Sequence, residues 1–191
     1  MQDLRRQLRK QRRQLNHFQQ QQSEKQVFHR LIRSPKFQSA QHIGMYLHAF
    51  GEIQTKLIID YALSKHKKIY LPMICNMNQH LVWVRISRNQ YQNKRFSMHR
   101  LGMQEPMQSR GLHVSKLDLL LMPLLACDYS GTRLGMGGGF YDRTLASAKF
   151  KPYRLGLAHT FQLTNIPILR KKWDQPLDEL TTPTKSLRFK R

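Results

Sequence analysis

Four glycines stand within five positions of the chain, between an arginine and an aspartate that could both act on a phosphorylated ligand. They are Gly135, Gly137, Gly138 and Gly139, preceded by Arg133 and followed by Asp142. Where side chains are missing, backbone N–H groups can converge on an anion, and positive φ angles cost little free energy. Arg133 would then bind phosphate through two hydrogen bonds, and Asp142 could hold Mg²⁺ on a bound triphosphate. The pattern predicts a phosphate-binding loop.

Two common nucleotide motifs do not fit this loop. A P-loop needs Gly-Lys-Ser/Thr after four spacer residues, and no lysine occurs between Arg133 and Arg143. A dinucleotide fingerprint starting at Gly135 needs glycine where Phe140 stands, and an acid about twenty residues on, where the chain reads LAHT. The glycines could instead serve only to pack a helix closely on a strand, but four of them exceed what packing needs. We therefore keep the phosphate-binding interpretation.

The residues on either side of the loop predict the elements that position it. An apolar run from Leu119 to Ala126, interrupted by Pro123, is typical of a strand buried on both faces. The segment from Phe140 onward predicts a helix whose positive end is next to the glycines. A strand, a loop and a helix in this order indicate an α/β fold.

The rest of the chain alternates predicted strands with predicted helices. Helices are predicted over residues 3–15, 23–34 and 53–63, and strands over 42–48, 69–74, 81–86 and 153–158. The glutamine run 19–22 and the polar stretch 87–107 are predicted connectors. Together these elements predict a three-layer α/β/α single domain over residues 1–191, with a mostly parallel central sheet and a mobile basic tail at 182–191.

The chain is strongly basic, with 33 lysines and arginines against 11 acids and a net charge of +22. This charge fits a nucleic acid, an anionic membrane surface or a small polyanionic substrate, and does not choose among them. The arginine-rich helix 3–15 is likewise typical of a solvated face or of such a binding surface. Because acids are few, four of them stand out as candidate site residues: Glu52, Asp142, Asp174 and Asp178.

Composition also argues against several classes of protein. Forty per cent apolar residues favour a folded globule over a disordered chain. No apolar run reaches the roughly 18 residues of a membrane span, and the basic N-terminal segment lacks the apolar core of a signal peptide. Cys75 and Cys127 have no CxxC spacing, so we predict free thiols and a cytoplasmic location. The histidines form no metal pair at helical spacing, and no Gly-x-Ser-x-Gly elbow occurs.

The segment around the glycines carries a family resemblance. Pro123, ACD at 126–128, Gly131 and RLGMGGGFYDR at 133–143 together resemble the signature of 5-formyltetrahydrofolate cyclo-ligase, also called methenyltetrahydrofolate synthetase. The resemblance extends through nearly the whole chain, from Leu4-Arg5 to Trp173-Asp174. It implies the ATP-dependent cyclisation of 5-formyltetrahydrofolate to 5,10-methenyltetrahydrofolate, through a phosphorylated formyl intermediate and with release of ADP and phosphate.

The same resemblance implies a role for individual residues. Those implied to bind ATP are Arg5, Arg133, Leu134, Gly135, Met136, Gly137, Gly138, Gly139, Phe140 and Tyr141. Those implied to bind the folate are Leu47, Glu52, Met136, Gly137, Gly138, Gly139 and Phe140. Asp142 and Asp174 are the implied Mg²⁺ ligands, and Arg133 and Tyr141 have the implied catalytic roles. The lysine of the family's first helix falls on Met1, so either the true start lies upstream, or Arg6 or Arg9 replaces it.

The implied partners are 5-formyltetrahydrofolate, with or without a polyglutamate tail, and MgATP. They would be bound by a monomer that has no membrane partner and no specific nucleic-acid partner. Two other hypotheses remain open at this point. One is a basic nucleic-acid-binding module that uses the arginine helix and the tail, which leaves the glycine loop without a role. The other is a different enzyme for a phosphorylated ligand on a related α/β scaffold.

Overall fold

The computed structural model describes residues 2–75, 77–107 and 110–190. The helices are α1 (Gln2–Gln14), α2 (His17–Ile32), α3 (Pro35–Ser39), α4 (Lys56–Ser64), α5 (Arg88–Gln92) and α6 (Phe140–Ala146). The strands are β1 (His42–Gly44), β2 (Lys68–Ile74), β3 (Leu81–Ile86), β4 (Phe96–Met98), β5 (Gln104–Pro106), β6 (Leu119–Pro123), β7 (Ala126–Asp128), β8 (Arg133–Leu134), β9 (Tyr153–Leu157), β10 (Leu163–Thr164), β11 (Glu179–Thr181) and β12 (Ser186–Arg188). Among these described helices, none combines the length and the apolar character needed to cross a bilayer.

Seven strands form the central sheet, in the order β12-β11-β9-β6-β1-β2-β3. The five inner strands run parallel, and β12 and β3 pair antiparallel at the two edges. In the register of the centre, Ile43 lies opposite Leu119 and Leu121 lies opposite Leu155. The predicted mostly parallel central sheet is confirmed.

Both faces of this sheet are covered, because successive side chains of a strand point to opposite faces. Leu121 of β6 lies in one core cluster with Val27 of α2 and Ile58 of α4. Its neighbour Leu120 lies in the other cluster with Leu145 of α6. All five side chains are essentially inaccessible to solvent. This arrangement confirms the predicted three-layer α/β/α class.

The strand predicted over residues 119–126 is divided in two. β6 ends at Pro123, which cannot donate a hydrogen bond to a ladder, and Ala126 begins β7 in a second sheet of order β10-β7-β8. Helix α1 covers this small sheet, with Leu8 in a cluster with Ala126 and Leu134. The small sheet therefore lies between the first helix and the strand that leads into the glycines.

Two regions differ from the predicted boundaries. The glutamine run predicted as a connector lies inside α2, because the helix begins earlier than predicted, at a capping box formed by Asn16 and Gln19. The segment 87–107 was predicted as a loop, but it forms α5 and the β4–β5 hairpin. In both regions polar residues make regular structure that apolar periodicity does not reveal.

The C-terminal segment that was predicted as a mobile tail contains a strand. Ser186–Arg188 form the edge strand β12, in which Leu187 lies opposite Leu180. The next residue, Phe189, packs so closely on Gly131 that a Cβ there would lie 2.7 Å from the ring. Backbone pairing and this aromatic contact hold the segment against the sheet, which its basic composition did not indicate.

Candidate functional site

The direction of chain progression reverses between β1 and β6. From β1 the chain continues through α4 to β2 on one side, and from β6 it continues to β9 and β11 on the other. In open α/β sheets, the crevice at the carboxyl ends of such strands is the usual ligand site. Leu47 and Glu52 follow β1, Leu124 follows β6, and His159 follows β9. The sheet thus places candidate residues around one crevice.

The glycine loop connects β8 to α6 in a conformation that requires glycine. Gly137 has φ of 109° and Gly139 has φ of 67°, both in the left-handed region. A Cβ at Gly138 would lie 2.6 Å from the Phe140 ring, whereas one at Gly137 would meet no atom within 4 Å. Open space beside Gly137 is what a backbone that approaches a ligand closely would need.

Arg133 and Asp142 form an ion pair across this loop. The Arg133 Nη2 to Asp142 Oδ1 distance is 3.0 Å, and the two side chains are 4% and 22% exposed. The guanidinium also lies over the ring of Tyr141, 5.4 Å from its centroid. Its Nε is buried and has no hydrogen-bond partner among the described residues. Arg133 therefore retains donor capacity next to the glycines.

The two predicted metal ligands lie on adjoining segments. Asp142 Oδ1 accepts a second hydrogen bond from the backbone N–H of Gln175, at 3.1 Å, and Asp174 immediately precedes that residue. Asp174 Oδ2 accepts from the backbone N–H of Lys171, at 2.7 Å, as a turn acid would. Two carboxylates completed by phosphate oxygens and water are a donor set that suits Mg²⁺. Within the described ranges, no cluster of three or more His, Cys, Asp or Glu side chains forms a site complete in itself.

Helix α1 contacts the glycine loop through arginines on one face. Arg5 Nε donates to the Gly135 carbonyl at 3.2 Å, and Arg9 Nη2 donates to the Met136 carbonyl at 3.0 Å. Arg6 instead pairs with Asp3 on the surface, with both side chains more than four-fifths exposed. Of the two proposed replacements for the family lysine, Arg9 is thus the one at the loop. Met1, on which that lysine falls, lies outside the described residues.

Glu52 occupies a turn that keeps its carboxyl group largely out of water. Its side chain is 11% exposed, its Oε2 accepts from the Ala49 N–H at 3.1 Å, and its Oε1 lies 3.9 Å from Arg12 Nη1. Burial raises the pKa of Glu52 to about 7, although the Arg12 charge and the Ala49 hydrogen bond act in the opposite direction. Glu52 can therefore exchange a proton near neutral pH.

The turn that carries Glu52 is held from two sides. Gly51 has φ of 74°, and a Cβ there would lie 2.7 Å from the Arg12 carbonyl oxygen. The Gly51 carbonyl lies 3.1 Å from His159 Nε2. Burial lowers the pKa of His159 to about 4, so the neutral ring donates this bond through Nε2 and its Nδ1 becomes an acceptor. That buried Nδ1 has no partner among the residues the structure describes.

Gln162 and Leu47, of which the second was predicted to bind the folate, have packing contacts. Gln162 Nε2 donates to the carbonyls of Leu124 and Leu125, at 2.7 and 3.0 Å, and its Oε1 accepts from the His159 N–H. Leu47 is half-buried against the core cluster that contains the α2 and α4 side chains. Gln162 therefore positions the ends of β6 and β9, and Leu47 forms an apolar wall beside the Glu52 turn.

Tyr141 connects the glycine loop with Glu52. Burial, and then the nearby Glu52 charge, raise the pKa of the Tyr141 hydroxyl, while Arg133 lowers it. The hydroxyl is consequently protonated at neutral pH and can donate a hydrogen bond. Through Tyr141 and the arginines of α1, the predicted residues of the loop and the predicted residues after β1 belong to one region.

Sequence reasoning missed Arg12 as a site residue. Its side chain is 1% exposed, and its Nη1 donates to the Leu124 carbonyl at 3.3 Å. A signal was present, because position 12 lies four residues after Leu8 and three before Leu15, on the apolar stripe of the helix. A charged residue at a core-facing position is rare unless it is paired or functional.

Comparison with known proteins gives consistent matches over nearly the whole chain. The model of the family described as the 5-formyltetrahydrofolate cyclo-ligase family matches residues 1–183. The 5-formyltetrahydrofolate cyclo-ligase of Escherichia coli K12 is 36% identical over 183 residues, which cover 93% of this chain and 97% of that protein. That of Haemophilus influenzae is 34% identical, covering 94% of this chain and 95% of that protein.

The solved structure of Aquifex aeolicus 5,10-methenyltetrahydrofolate synthetase has a TM-score of 0.81 and 25% identity, and covers 99% of this chain and 92% of that one. The methenyltetrahydrofolate synthetase of Mycoplasma pneumoniae has a TM-score of 0.74 at 19% identity, and supports the fold alone. The resemblance inferred from the glycine motif and the predicted enzyme class are confirmed. The roles of individual residues stay predictions.

Proposed function

The chain belongs to the 5-formyltetrahydrofolate cyclo-ligase family, and we propose that it converts 5-formyltetrahydrofolate to 5,10-methenyltetrahydrofolate, with cleavage of ATP and release of ADP and phosphate. One observation supports this most directly. The glycine loop and the Glu52 turn are far apart in sequence, yet Arg5, Arg9 and Arg12 on a single helix contact one or the other. A site for two substrates, one of them phosphorylated, needs such a juxtaposition.

The glycine loop would bind the ATP phosphates. Its backbone has open space beside Gly137, and Arg133 adds a cation at its start. Arg5 and Arg9 add positive charge from α1. Phosphoryl transfer needs positioning and charge neutralisation more than covalent help, and this group of residues can supply both.

Asp142 and Asp174 would hold Mg²⁺ on the bound nucleotide. A bound Mg²⁺ would neutralise phosphate charge and orient the γ-phosphate. Asp142 pairs with Arg133, so the guanidinium balances the carboxylate charge that a metal ion would otherwise balance. When ligands bind, Arg133 can turn its donors to phosphate while Asp142 retains the Gln175 N–H.

Glu52 and Leu47 would bind the folate. The ionised Glu52 carboxylate is an acceptor without protons of its own, which suits the N–H donors of a pterin ring. Leu47 offers apolar contact beside it. The neutral Tyr141 hydroxyl, close to Glu52, can donate a hydrogen bond to the oxygen that leaves the formyl group.

In the proposed reaction the formyl oxygen attacks the γ-phosphorus of ATP, and ADP leaves. The formyl carbon then carries a phosphate ester on a positively charged iminium, and the neighbouring folate nitrogen attacks this carbon. The C–O bond breaks, phosphate departs, and a proton is lost from the attacking nitrogen, which closes the methenyl ring. Arg133 lies where it can stabilise the phosphate charge that develops in both steps.

The supporting experiment follows the absorbance of methenyltetrahydrofolate after purified protein is mixed with 5-formyltetrahydrofolate, ATP and Mg²⁺. Product should require ATP and should appear with an equal amount of ADP. Omission of ATP is the first control, and AMP in its place is the second. A folded protein that binds ADP but forms no product would instead favour a different reaction on a phosphorylated ligand. A monomeric state and a cytoplasmic location remain predictions from the sequence.

A further inference from the structure

Arg12 is a buried cation that contacts both strand ends of the crevice. Its Nη1 donates to the Leu124 carbonyl after β6 and lies 3.9 Å from Glu52 Oε1 after β1. The backbone of the same residue packs on Gly51, the residue before Glu52. Arg12 therefore lies against the Glu52 turn with both its backbone and its charge.

The hydrogen bonds of this guanidinium are incomplete. Arg12 Nε and Nη2 are buried and have no hydrogen-bond partner within the described part of the chain. A buried guanidinium stays charged and costs several kcal/mol unless acceptors surround it. A purely structural arginine would be expected to use these donors on nearby carbonyls. Keeping a cation here is consistent with a function that depends on its charge.

We propose that Arg12 is a positioning residue for the folate site: its buried guanidinium keeps the Glu52 carboxylate ionised and directed toward the substrate. The proposal rests on the proposed function, because it assigns Glu52 to the folate. It adds a residue that acts through Glu52 and does not itself touch the substrate.

The other groups that face Glu52 cannot take over this role. From its own segment come the Ala49 N–H and the Tyr46 hydroxyl, which donates to the Ile53 carbonyl. Tyr141 approaches from α6, and burial raises its pKa as it does that of Tyr46, so both are neutral. His159 reaches the turn through Gly51 and is also neutral, because burial lowers its pKa to about 4. Arg12 is the cation among these groups.

The ionisation of Glu52 is sensitive to that cation. Burial has already raised the pKa of Glu52 to about 7, where half of the carboxyl groups are ionised at neutral pH. If the loss of the Arg12 charge raised this pKa by a further one or two pH units, the ionised fraction of Glu52 at pH 7 would fall about 5- to 50-fold. Binding that needs the carboxylate would weaken by the same factor, and would recover as the pH rises.

The test compares three variants. Arg12→Gln removes the charge and keeps an amide donor for the Leu124 carbonyl. Arg13→Gln removes the same charge from the exposed neighbouring position of α1 and is the matched control. Arg12→Lys keeps the charge. For each variant, KM for 5-formyltetrahydrofolate, KM for ATP and kcat are measured from pH 6 to pH 9.

We expect Arg12→Gln to raise the folate KM at pH 7 by about 5- to 50-fold, with the increase falling to about 2-fold or less at pH 9. The ATP KM and the saturated kcat should change little, and Arg13→Gln should behave as the unmodified protein. Arg12→Lys should restore most of the folate affinity. If Arg12 only holds α1 in place, Arg5 and Arg9 would leave the glycine loop as well, and both KM values would rise at every pH. That result would overturn the proposal.

A titration that needs no turnover separates this proposal from the proposed function. The chain has four glutamates, Glu24, Glu52, Glu105 and Glu179, so carboxyl-labelled glutamate gives four ¹³C resonances, and the Glu52→Gln variant assigns one of them. Arg12→Gln should move the Glu52 titration to higher pH, and Arg13→Gln should not. An inactive protein that shows this shift would refute the proposed reaction but retain the Arg12–Glu52 relation. An unmoved titration would refute that relation.

If Arg12→Gln does not fold, Arg12→Lys decides the question by the same titration. A Glu52 pKa close to that of the unmodified protein, together with a folate KM near the original value, supports the proposal. A Glu52 pKa well above it, although the charge is present, overturns it.

Discussion

Glu52→Gln should alter the pH dependence of stability in a direction that the structure specifies. Burial raises the pKa of Glu52 from 4.5 to about 7, so the folded protein holds this proton more tightly than the unfolded chain. The contribution of Glu52 to the free energy of unfolding is therefore most favourable below pH 4.5. It decreases as the pH rises to about 7. Integrated from pH 5 to pH 8, the two pKa values give a loss of about 2–3 kcal/mol.

Glutamine cannot ionise, so the variant lacks this loss. It still offers an oxygen to the Ala49 N–H, but it removes the partner of Arg12, and a buried cation without its partner is costly. That cost does not depend on pH in this range. The informative quantity is thus the change with pH in the stability difference between the two proteins, and not its value at one pH.

The assay is equilibrium urea unfolding of both proteins at pH 5, 6, 7 and 8. Relative to the variant, the unmodified protein should lose about 2–3 kcal/mol between the lowest and the highest pH. Asp3→Asn, which neutralises an exposed carboxylate on α1, controls for the change in net charge. If the free energies of unfolding of the unmodified protein and Glu52→Gln change in parallel with pH, the claim that burial raises the pKa of Glu52 is refuted.

Three further predictions concern the two halves of the site. Asp142→Asn should lower kcat by about 10- to 1,000-fold while the protein still folds, because it removes a ligand for a catalytic cation, and an unchanged kcat would exclude Asp142 from the metal site. Gly51→Ala should cost about 1–3 kcal/mol in urea unfolding, since φ is 74° and the new Cβ meets a backbone oxygen; a neutral effect would mean that the turn can relax away from α1. The +22 charge should make KM for polyglutamylated substrate rise with ionic strength more steeply than KM for the monoglutamate, and equal slopes would count against attraction of the glutamate tail.

The parts of the fold that the sequence predicted are those in which local pattern and tertiary environment agree. The run at Leu119 is buried on both faces and is a central strand. The glycines predicted a special backbone, and Gly137 and Gly139 have the positive φ angles that only glycine adopts readily. The hairpin within 87–107 was not predictable in this way, because each of its strands is only three residues long. Pairing partners, and not intrinsic preference, decide such segments.

The prediction of the site from the sequence was limited for a different reason. Residue types indicated which side chains could bind phosphate, metal or a pterin, but not which were adjacent, because adjacency comes from the order of the strands. Asp174 shows this, since only the hydrogen bond between Gln175 and Asp142 places it beside the glycine loop. Nothing in the sequence of residues 173–175 indicates that this segment contacts Asp142.

Helix α1 shows how spacing resolves a composition that looks uniform. Its basic residues were predicted to form either a solvated face or a binding surface. Arg5, Arg9 and Arg12 follow the i, i+4, i+7 pattern and face the protein, whereas Arg6, Lys10 and Arg13 are exposed. Leu4 and Leu8 share the inward face and pack with Ala126 and Leu134. Arg12 lies one turn after Leu8 and is buried, while Arg5 and Arg9 reach the loop near the surface. The number of basic residues does not distinguish the cations inside the site from those exposed to solvent. Their position relative to the apolar stripe does.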